Sequence, residues 1–323
     1  MHHSQLAAQF LIDTYRFNQE DKNRLTHIFE AYKNPEKTQT QIPDQRTAAA
    51  YMIARGLSIS GVMQHIFEQE PAFFSKIKNV IDFGGGPGTF LWSLLDHTQD
   101  VHYSNIDMNK HLLNVFKEIA NHLNLAKQAQ AVQQDYFQFK AIENQYDLAV
   151  FSYTLCENPG AIKAIDKATH ISENILIIEP GTPLGFKNIL QSRALLIDKV
   201  FSVLAPCSHM QTCPLQESES DWCHFVARNM RTKTQMFLKN AERGYEDEKF
   251  IYLIATKSEK KGNEGQRIIS RPQLNGHILH FDTCTPSEKT AVKLYKKSDK
   301  ALFKEYKKAK RGDIFSESGD KPF

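Results

Sequence analysis

The stretch VIDFGGGPGTF, residues 80–90, decides the fold of this chain. A short apolar run carries Asp82 and leads through a glycine-rich turn into TFLWSLLDH, which has the pattern of a helix. Glycines let the backbone adopt positive φ and approach a ligand closely. Amide groups at the start of the helix attract a polar or anionic group. The stretch therefore predicts a nucleotide-binding turn between the first strand and the next helix of an α/β domain.

The spacing of the glycines favours S-adenosylmethionine over a dinucleotide. Gly84, Gly86 and Gly88 alternate after an acid inside the strand, whereas the dinucleotide fingerprint has two residues between its second and third glycines. The acid-x-Gly-x-Gly-x-Gly form is the first motif of class I methyltransferases. Asp107, which ends the predicted second strand, is placed to accept hydrogen bonds from both ribose hydroxyls. A nicotinamide-type or vestigial nucleotide fold is the alternative.

A third acid follows the third predicted strand. Asp135, in the sequence QQDY, lies where such enzymes hold the adenine amino group, and Tyr136 is placed to pack on the adenine ring. Three acids at the ends of three successive strands are stronger evidence than a glycine turn alone. The predicted cofactor-binding residues are Asp82, Gly84, Gly86, Gly88, Asp107, Asp135 and Tyr136.

The catalytic residue is not predicted. The fourth strand runs into SYTLCENPG, residues 152–160, which matches neither the Asn/Asp-Pro-Pro-aromatic cluster of amino-group methyltransferases nor the Pro-Cys of cytosine-carbon methyltransferases. Cys156 would need an activating neighbour to serve as a nucleophile. A buried structural thiol is the preferred interpretation. The sequence thus shows a cofactor site without a recognisable catalytic one.

The surrounding patterns predict three regions. Residues 1–75 carry helical periodicity and form an N-terminal helical region, with Gly56 and Gly61 as possible interruptions. Residues 76–260 alternate strands with helices, which predicts a doubly wound parallel sheet, and they include a long helix at about 186–204 and a cysteine-rich insert at 205–228. Residues 261–323 form a small C-terminal region of short strands and a basic helix capped by Ser298.

Composition places the chain among soluble globular proteins. It is 41% hydrophobic and 24% charged, and no apolar run is long enough to cross a bilayer. The N-terminus lacks the features of a signal peptide, so we expect an intracellular protein with no membrane partner. The net charge is only +3, but residues 289–311 hold ten Lys and Arg against two acids. This run indicates either phosphate binding or a solvated helix face.

Five cysteines, an odd number, argue against a disulfide framework. Cys207, Cys213 and Cys223 lie in one polar loop, and Cys284 follows sixty residues later. Four thiols are a full ligand set for tetrahedral zinc or an iron–sulfur cluster, and their wide spacing suits the larger group better than the close pairs usual for zinc. His209 and His224 are possible replacements for a thiol. Unrelated buried cysteines are the alternative.

Together these residues resemble a known family: the methyltransferase-like assembly factors of the mitochondrial small ribosomal subunit and their bacterial relatives. The resemblance spans most of the chain. It is carried by AAAYMIARG (48–56), the glycine turn, EPGTPLGF (179–186), APCSHMQTCPL (205–215), DWCHFVAR (221–228), YEDEKFIYL (245–253), RII-x-RP (267–272) and GHILHFDTCT (276–285). The chain departs from the family pattern at GLSISG, residues 56–61, and at Cys156-Glu157.

The resemblance implies a class I S-adenosylmethionine-dependent methyltransferase (Rossmann-like) fold with a cysteine-rich metal-binding insert. It implies a four-iron four-sulfur cluster (4Fe-4S) held by Cys207, Cys213, Cys223 and Cys284, with zinc as the lesser alternative. It also implies binding to small-subunit ribosomal RNA or a precursor of the small subunit. The compartment would be the cytoplasm for a bacterial-type protein, or the mitochondrial matrix for a eukaryotic one.

Two functional hypotheses follow. The first is an rRNA methyltransferase that acts on or with the small ribosomal subunit and carries an iron–sulfur cluster. The second is a non-catalytic small-subunit assembly factor that binds rRNA through a vestigial methyltransferase fold.

Several charged residues fit a binding role. Arg193 and the stripe Lys300, Lys304, Lys307 and Arg311 are candidates for phosphate contacts. The acids Glu246, Asp247 and Glu248 are placed to orient Arg228 or Arg231, or else form a solvated turn.

Overall fold

The computed structural model describes residues 2–32, 42–139, 145–258 and 265–317. Contacts divide the chain into two compact units. Unit 1 comprises Met1–Glu173 and Ala227–Glu248, and unit 2 comprises Asn174–Val226 and Lys249–Phe323. In the part of the chain that the structure describes, no helix is both long and apolar enough to span a membrane.

Unit 1 begins with helices, as the sequence predicts. They are α1 (His3–Tyr15), α2 (Gln19–Tyr32), α3 (Gln45–Tyr51), α4 (Leu57–Gln69) and α5 (Pro71–Phe74). A π-helical turn, Met52–Gly56, joins α3 to α4. The chain thus remains helical through Gly56 and Gly61, where the sequence suggests interruptions. Gly56 is buried against Met52 and Thr89, so the missing side chain permits close packing.

The rest of unit 1 is a parallel sheet with helical crossovers. Its elements are β1 (Asn79–Phe83), α6 (Thr89–Leu94), β2 (His102–Asp107), α7 (Lys110–His122), β3 (Ala129–Gln133), β4 (Tyr146–Ser152) and α8 (Ile162–Ile171). The strand order β3-β2-β1-β4 puts β1 between β2 and β4, both parallel to it. The α/β prediction is confirmed. Because the carboxyl ends of parallel strands meet at one edge, the polar residues that follow β1, β2 and β4 come together there.

Unit 2 opens with three strands and a helix. They are β5 (Ser172–Pro180), α9 (Pro183–Asp198), β6 (Ser202–Ala205) and β8 (Tyr245–Thr256). The connection before β8 and the first residues of this strand belong to unit 1. β8 pairs antiparallel with both β5 and β6, so the sheet of the protein is mixed. The predicted helix at 186–204 ends at Asp198, because Ser202–Ala205 pair with β8 instead. The connection contains β7 (Phe225–Met230), which pairs with β8, and α10 (Lys233–Leu238).

The last part of unit 2 forms a second, antiparallel sheet. It contains β9 (Gln266–Ile268), β10 (Gln273–Asn275), β11 (Ile278–Cys284), β12 (Lys289–Tyr295) and β13 (Ile314–Phe315), with the helix α11 (Lys300–Tyr306). Its small core comprises Ile268, Leu279, Phe281, Leu294, Phe303, Tyr306 and Phe315. The basic run is thus a strand followed by a helix of only seven residues, whose N-cap is Asp299 rather than Ser298.

Candidate cofactor site and cysteine cluster

The glycine turn has the backbone conformation that its sequence requires. Gly84, Gly86 and Gly88 all have positive φ, at 77°, 52° and 81°. The turn is anchored by backbone hydrogen bonds, from the Gly84 amide to Ile106 (2.7 Å) and from the Gly88 amide to Gly85 (2.9 Å). A β-carbon at Gly88 would lie 2.3 Å from Phe116, whereas one at Gly86 would meet only Leu112 at 3.8 Å and Asp107 at 4.0 Å. Gly86 is therefore the open position of the turn.

Asp107 lies directly beside the turn. Its carboxylate accepts hydrogen bonds from the Gly86 amide (3.0 Å) and from the Asn109 amide (2.7 Å). Burial raises the pKa of Asp107, and these backbone donors oppose the rise. Each carboxylate oxygen has a further lone pair beyond the amide it accepts. The side chain that holds the turn in place can thus also accept two hydroxyl groups.

Asp82 lies underneath the turn. It is 1% exposed, and the Tyr103 hydroxyl donates to its Oδ2. Burial raises the pKa of Asp82 to about 7, with a further rise from the charge of Asp107 and an opposing effect of Tyr103. Among the described residues, Asp82 Oδ1 and Asn105 Oδ1 are buried without a hydrogen-bond partner. A β-carbon at Gly85 would lie within 2.8 Å of both side chains, so a polar layer supports the turn from below.

Asp135 and Tyr136 follow β3 and form the next part of the same edge. Asp135 caps a single 3₁₀ turn, Tyr136–Gln138, by accepting the Phe137 amide at 2.9 Å. The Tyr136 ring packs edge-on against Phe83, at the end of β1, with centroids 6.4 Å apart. Asn158 donates to the Tyr136 hydroxyl at 3.0 Å. The structure thus brings Tyr136 beside the residue that precedes the glycine turn.

The segment after β4 turns its polar side chains inward. Thr154 donates to the Phe83 carbonyl at 2.9 Å and lies 3.4 Å from the β-carbon position of Gly84. The Cys156 thiol donates to the Tyr153 carbonyl at 3.1 Å. Tyr153 has φ of 58°, a conformation that is strained for a bulky residue and that occurs preferentially at functional sites.

Sequence reasoning did not identify Arg55, which contacts the same segment. Its guanidinium lies over the Tyr153 ring, 5.1 Å from the centroid, and pairs with Glu248 at 2.8 Å. Arg55 belongs to the π-helical turn, and π-turns are frequent at functional sites. Such a turn arises from packing rather than from a local residue pattern, so the sequence carried no signal for it.

The four predicted metal ligands come together in unit 2. Cys207 and Cys213 lie in the loop after β6, Cys223 precedes β7, and Cys284 ends β11. Burial raises the pKa of Cys284 to about 12, with further rises from the charges of Cys207 and Cys213. Burial likewise raises the pKa of Cys223. The charges of the other three thiols, Cys207, Cys213 and Cys284, raise it further. His209 Nε2 lies 3.5 Å from the Cys284 sulfur. Cys207, Cys213 and Cys284 therefore all lie close enough to Cys223 to raise its pKa.

This neighbourhood is not arranged as a site for one metal ion. Among the described residues, no group of three or more His, Cys, Asp or Glu side chains is arranged to hold a metal ion. The four cysteines form no disulfide with one another. The four cysteines thus lie in one part of unit 2, but the structure does not show the metal-binding insert that the sequence predicts, and their role as ligands stays a prediction.

Three arginines surround the thiols. Arg193, 6% exposed, donates to the carbonyls of His209 (2.9 Å) and Gln211 (2.8 Å). Arg267, 4% exposed, donates to those of Pro206 and Gly312, both at 2.6 Å. Arg311 contacts His224 Nε2 at 3.1 Å. Arg193 is thus buried and bound to backbone carbonyls inside unit 2, which contradicts the prediction that it contacts phosphate. Arg311 is half-buried, and its contact with phosphate stays a prediction.

The acids of β8 pair with arginines, which is one of the two alternatives that the sequence left open. Asp247 accepts two hydrogen bonds from Arg228, both at 2.7 Å, and Glu246 pairs with Arg231 at 2.8 Å. Lys239 also pairs with Glu246, at 2.6 Å. The Arg228 pair is exposed, whereas the Glu246 group is largely buried.

Comparison with known proteins supports a ribosomal family. The family model described as mitochondrial small ribosomal subunit Rsm22 matches residues 45–316. No protein with a curated description matches the chain.

Among solved structures, the chain is similar to several methyltransferases. A proposed S-adenosyl-L-methionine-dependent methyltransferase of Methanococcus maripaludis matches with 14% identity and a TM-score of 0.44, over 71% of this chain and 99% of that one. A proposed RNA methyltransferase of Pyrococcus horikoshii matches with 11% identity and a TM-score of 0.43, over 72% and 99%. The magnesium protoporphyrin IX methyltransferase of Synechocystis, solved with bound SAH, matches with 13% identity and a TM-score of 0.39, over 78% and 100%.

Proposed function

The chain belongs to the Rsm22 family of mitochondrial small ribosomal subunit proteins, and from that membership we propose an S-adenosylmethionine-dependent methyltransferase that acts on or with the small ribosomal subunit. One observation carries the cofactor assignment. The Asp107 carboxylate at the end of β2 holds the amide of Gly86, the open glycine of a turn that follows β1.

The residues present fit S-adenosylmethionine. Asp107 would accept the ribose hydroxyls, Gly84, Gly86 and Gly88 would let the backbone approach the cofactor, and Asp135 and Tyr136 would contact the adenine. Asp82 would support the turn from below, since it is buried under Gly85. When bound, the cofactor supplies an electrophilic methyl group. The protein's part is to bind and orient it at the carboxyl edge of the parallel strands.

A second function, an assembly factor that does not transfer methyl groups, is favoured by one feature. The Thr154 hydroxyl and the Cys156 thiol, which follow β4, both donate to backbone carbonyls. In this arrangement the backbone takes up the polar hydrogen of both side chains. Either function places the protein with the small subunit, in the mitochondrial matrix of a eukaryote or in the cytoplasm of a bacterium.

The cysteine cluster fits an anionic iron–sulfur cluster. Arg193 and Arg267 are almost fully buried and donate to carbonyls rather than to carboxylates. Buried cations without an anionic partner are costly, and four thiolates around a 4Fe-4S core would carry the compensating negative charge. We therefore assign Cys207, Cys213, Cys223 and Cys284 as its ligands, with zinc as the alternative. When bound, the cluster would cross-link the loop after β6 to β11.

The deciding experiment is a methyl-transfer assay. Anaerobically purified protein is incubated with methyl-labelled S-adenosylmethionine and small-subunit particles from cells that lack this gene. Label in the rRNA would establish the methyltransferase, and Asp107→Ala should abolish it. Particles that bind the protein but stay unlabelled, while another methyltransferase labels its own site, would favour the assembly factor. A protein that binds neither the cofactor nor the particles would refute both proposed functions.

A further inference from the structure

The second sheet of unit 2 has a solvent-facing side that its core does not use. In an antiparallel pair, residues directly opposite each other point to the same side of the sheet. Leu279, Phe281 and Leu294 point into the core. The opposite side of β11 and β12 is therefore formed by the pairs Ile278–Tyr295, His280–Lys293, Asp282–Ala291 and Cys284–Lys289. We call this side the β11–β12 face.

The face is covered at one end and open at the other. At the Cys284 end, Lys289 pairs with Asp221 of the cysteine-rich loop at 2.7 Å and with Asp282 at 3.2 Å. At the other end, Tyr295 is 47% exposed. β10 extends the open end, since Gln273 pairs with His280 and Asn275 with Ile278. The open end therefore presents an aromatic ring, an imidazole and side-chain amides on one surface.

The part of unit 2 that contains this face is strongly positive. Residues 265–317 hold twelve Lys and Arg against six Asp and Glu, a formal charge of +6 in a chain whose total is +3. Lys293, Lys296 and Lys297 are exposed. Within the described parts of unit 2, none of these three forms an ion pair. Cations that are not neutralised by the protein are available to an anionic partner.

We propose that the open end of the β11–β12 face binds single-stranded RNA, with a base stacked on Tyr295 and phosphates contacted by Lys293, Lys296 and Lys297. Exposed aromatic rings beside lysines on a sheet are the chemistry of single-strand recognition, because every base offers a stacking face. A double helix would not present unstacked bases to Tyr295. This proposal rests on the proposed association with the small subunit, whose RNA would supply the strand.

The test measures binding of the full-length protein to a fluorescent mixed-sequence RNA oligonucleotide by anisotropy, and binding to small-subunit particles by sedimentation. We expect Tyr295→Ala to weaken oligonucleotide binding about tenfold and Tyr295→Phe to retain it. Lys293→Ala/Lys296→Ala should lower the dependence of log affinity on log salt by about 0.7 for each phosphate that the protein no longer neutralises. The matched control is Lys117→Ala/Lys163→Ala, which removes the same charge from two exposed lysines of α7 and α8 in unit 1.

Each outcome is decisive. Loss in the face variants with retention in Tyr295→Phe and in the unit 1 control supports the proposal. Equal loss in the face variants and in the unit 1 control would show non-specific attraction and overturn it. If the protein binds particles but no free RNA, or if Tyr295→Ala binds RNA normally, the face serves another purpose and the proposed function stands. If the wild type binds neither particles nor RNA, the proposed function falls and takes this proposal with it.

Discussion

The Asp107 carboxylate accepts the Gly86 amide at 3.0 Å, which ties the end of β2 to the turn after β1. The same carboxylate also accepts the Asn109 amide, at the start of α7. One acid therefore joins two strand ends and a helix. Any ligand that binds at the turn must therefore share the Asp107 carboxylate with the two backbone amides that this carboxylate already holds.

Two glycine variants should separate folding from cofactor binding. Gly86→Ala places its methyl group in open space, so we expect only the strain of a left-handed residue, about 1–2 kcal/mol, together with lower affinity for S-adenosylmethionine. Gly88→Ala drives a β-carbon to within 2.3 Å of Phe116 and should lower thermal stability much further. Calorimetric unfolding and cofactor titration measure the two effects. Full cofactor affinity in Gly86→Ala would contradict the proposed site.

The buried carboxyl under the turn should make stability depend on pH. The pKa of Asp82 is about 7 in the folded protein, well above its ordinary value of 3.8. Between these pH values the folded protein therefore retains a proton that the unfolded chain has released. The free energy of unfolding falls as pH rises through this window. Relative to Asp82→Asn, the wild type should lose roughly 2–3 kcal/mol between pH 5 and pH 8.

Urea unfolding of both proteins at several pH values measures this difference. Tyr103→Phe is the matched variant, because it removes the donor that lowers the pKa of Asp82. In that variant the loss of stability should extend to higher pH. A wild type and an Asp82→Asn variant with parallel pH profiles would show that the carboxyl does not titrate in this range.

The cysteines should differ in their effect on metal content. Cys213→Ser and Cys284→Ser remove predicted ligands, so both should lose iron and melt at lower temperature. Cys156→Ser, which alters a thiol that donates to the Tyr153 carbonyl in unit 1, should keep the iron and most of the stability. Metal analysis and visible absorption of anaerobic protein measure this. A colourless protein with zinc and no iron would refute the iron–sulfur assignment.

Arg193 should be far less tolerant of replacement than Arg228. Arg193→Met removes both hydrogen bonds that hold the cysteine-rich loop, and the buried His209 carbonyl would be left unsatisfied, which costs about 1–3 kcal/mol. Iron content should fall with it. Arg228→Met removes an exposed ion pair with Asp247, where the expected change is within about 1 kcal/mol. Equal effects in thermal unfolding would show that Arg193 does not support the loop.

The glycine turn and the strand–helix alternation were predictable because their signals are local. Positive φ at Gly84, Gly86 and Gly88 follows from residue type within a few positions. Other features depended on distant partners. Ser202–Ala205 continued the apolar pattern of a helix, yet β8 offered them backbone hydrogen bonds and made them a strand.

By itself the sequence determined the α/β class and the position of the turn, since both rest on residue types in a fixed order. Only the tertiary structure decided what the basic residues do. Arg193 and Arg267 share the positive charge of the lysines, but packing buries these two arginines near the cysteines and leaves Lys293, Lys296 and Lys297 in solvent. The charge of a side chain follows from its residue type, whereas the exposure of that charge to a partner depends on which groups, distant in the sequence, pack around the side chain.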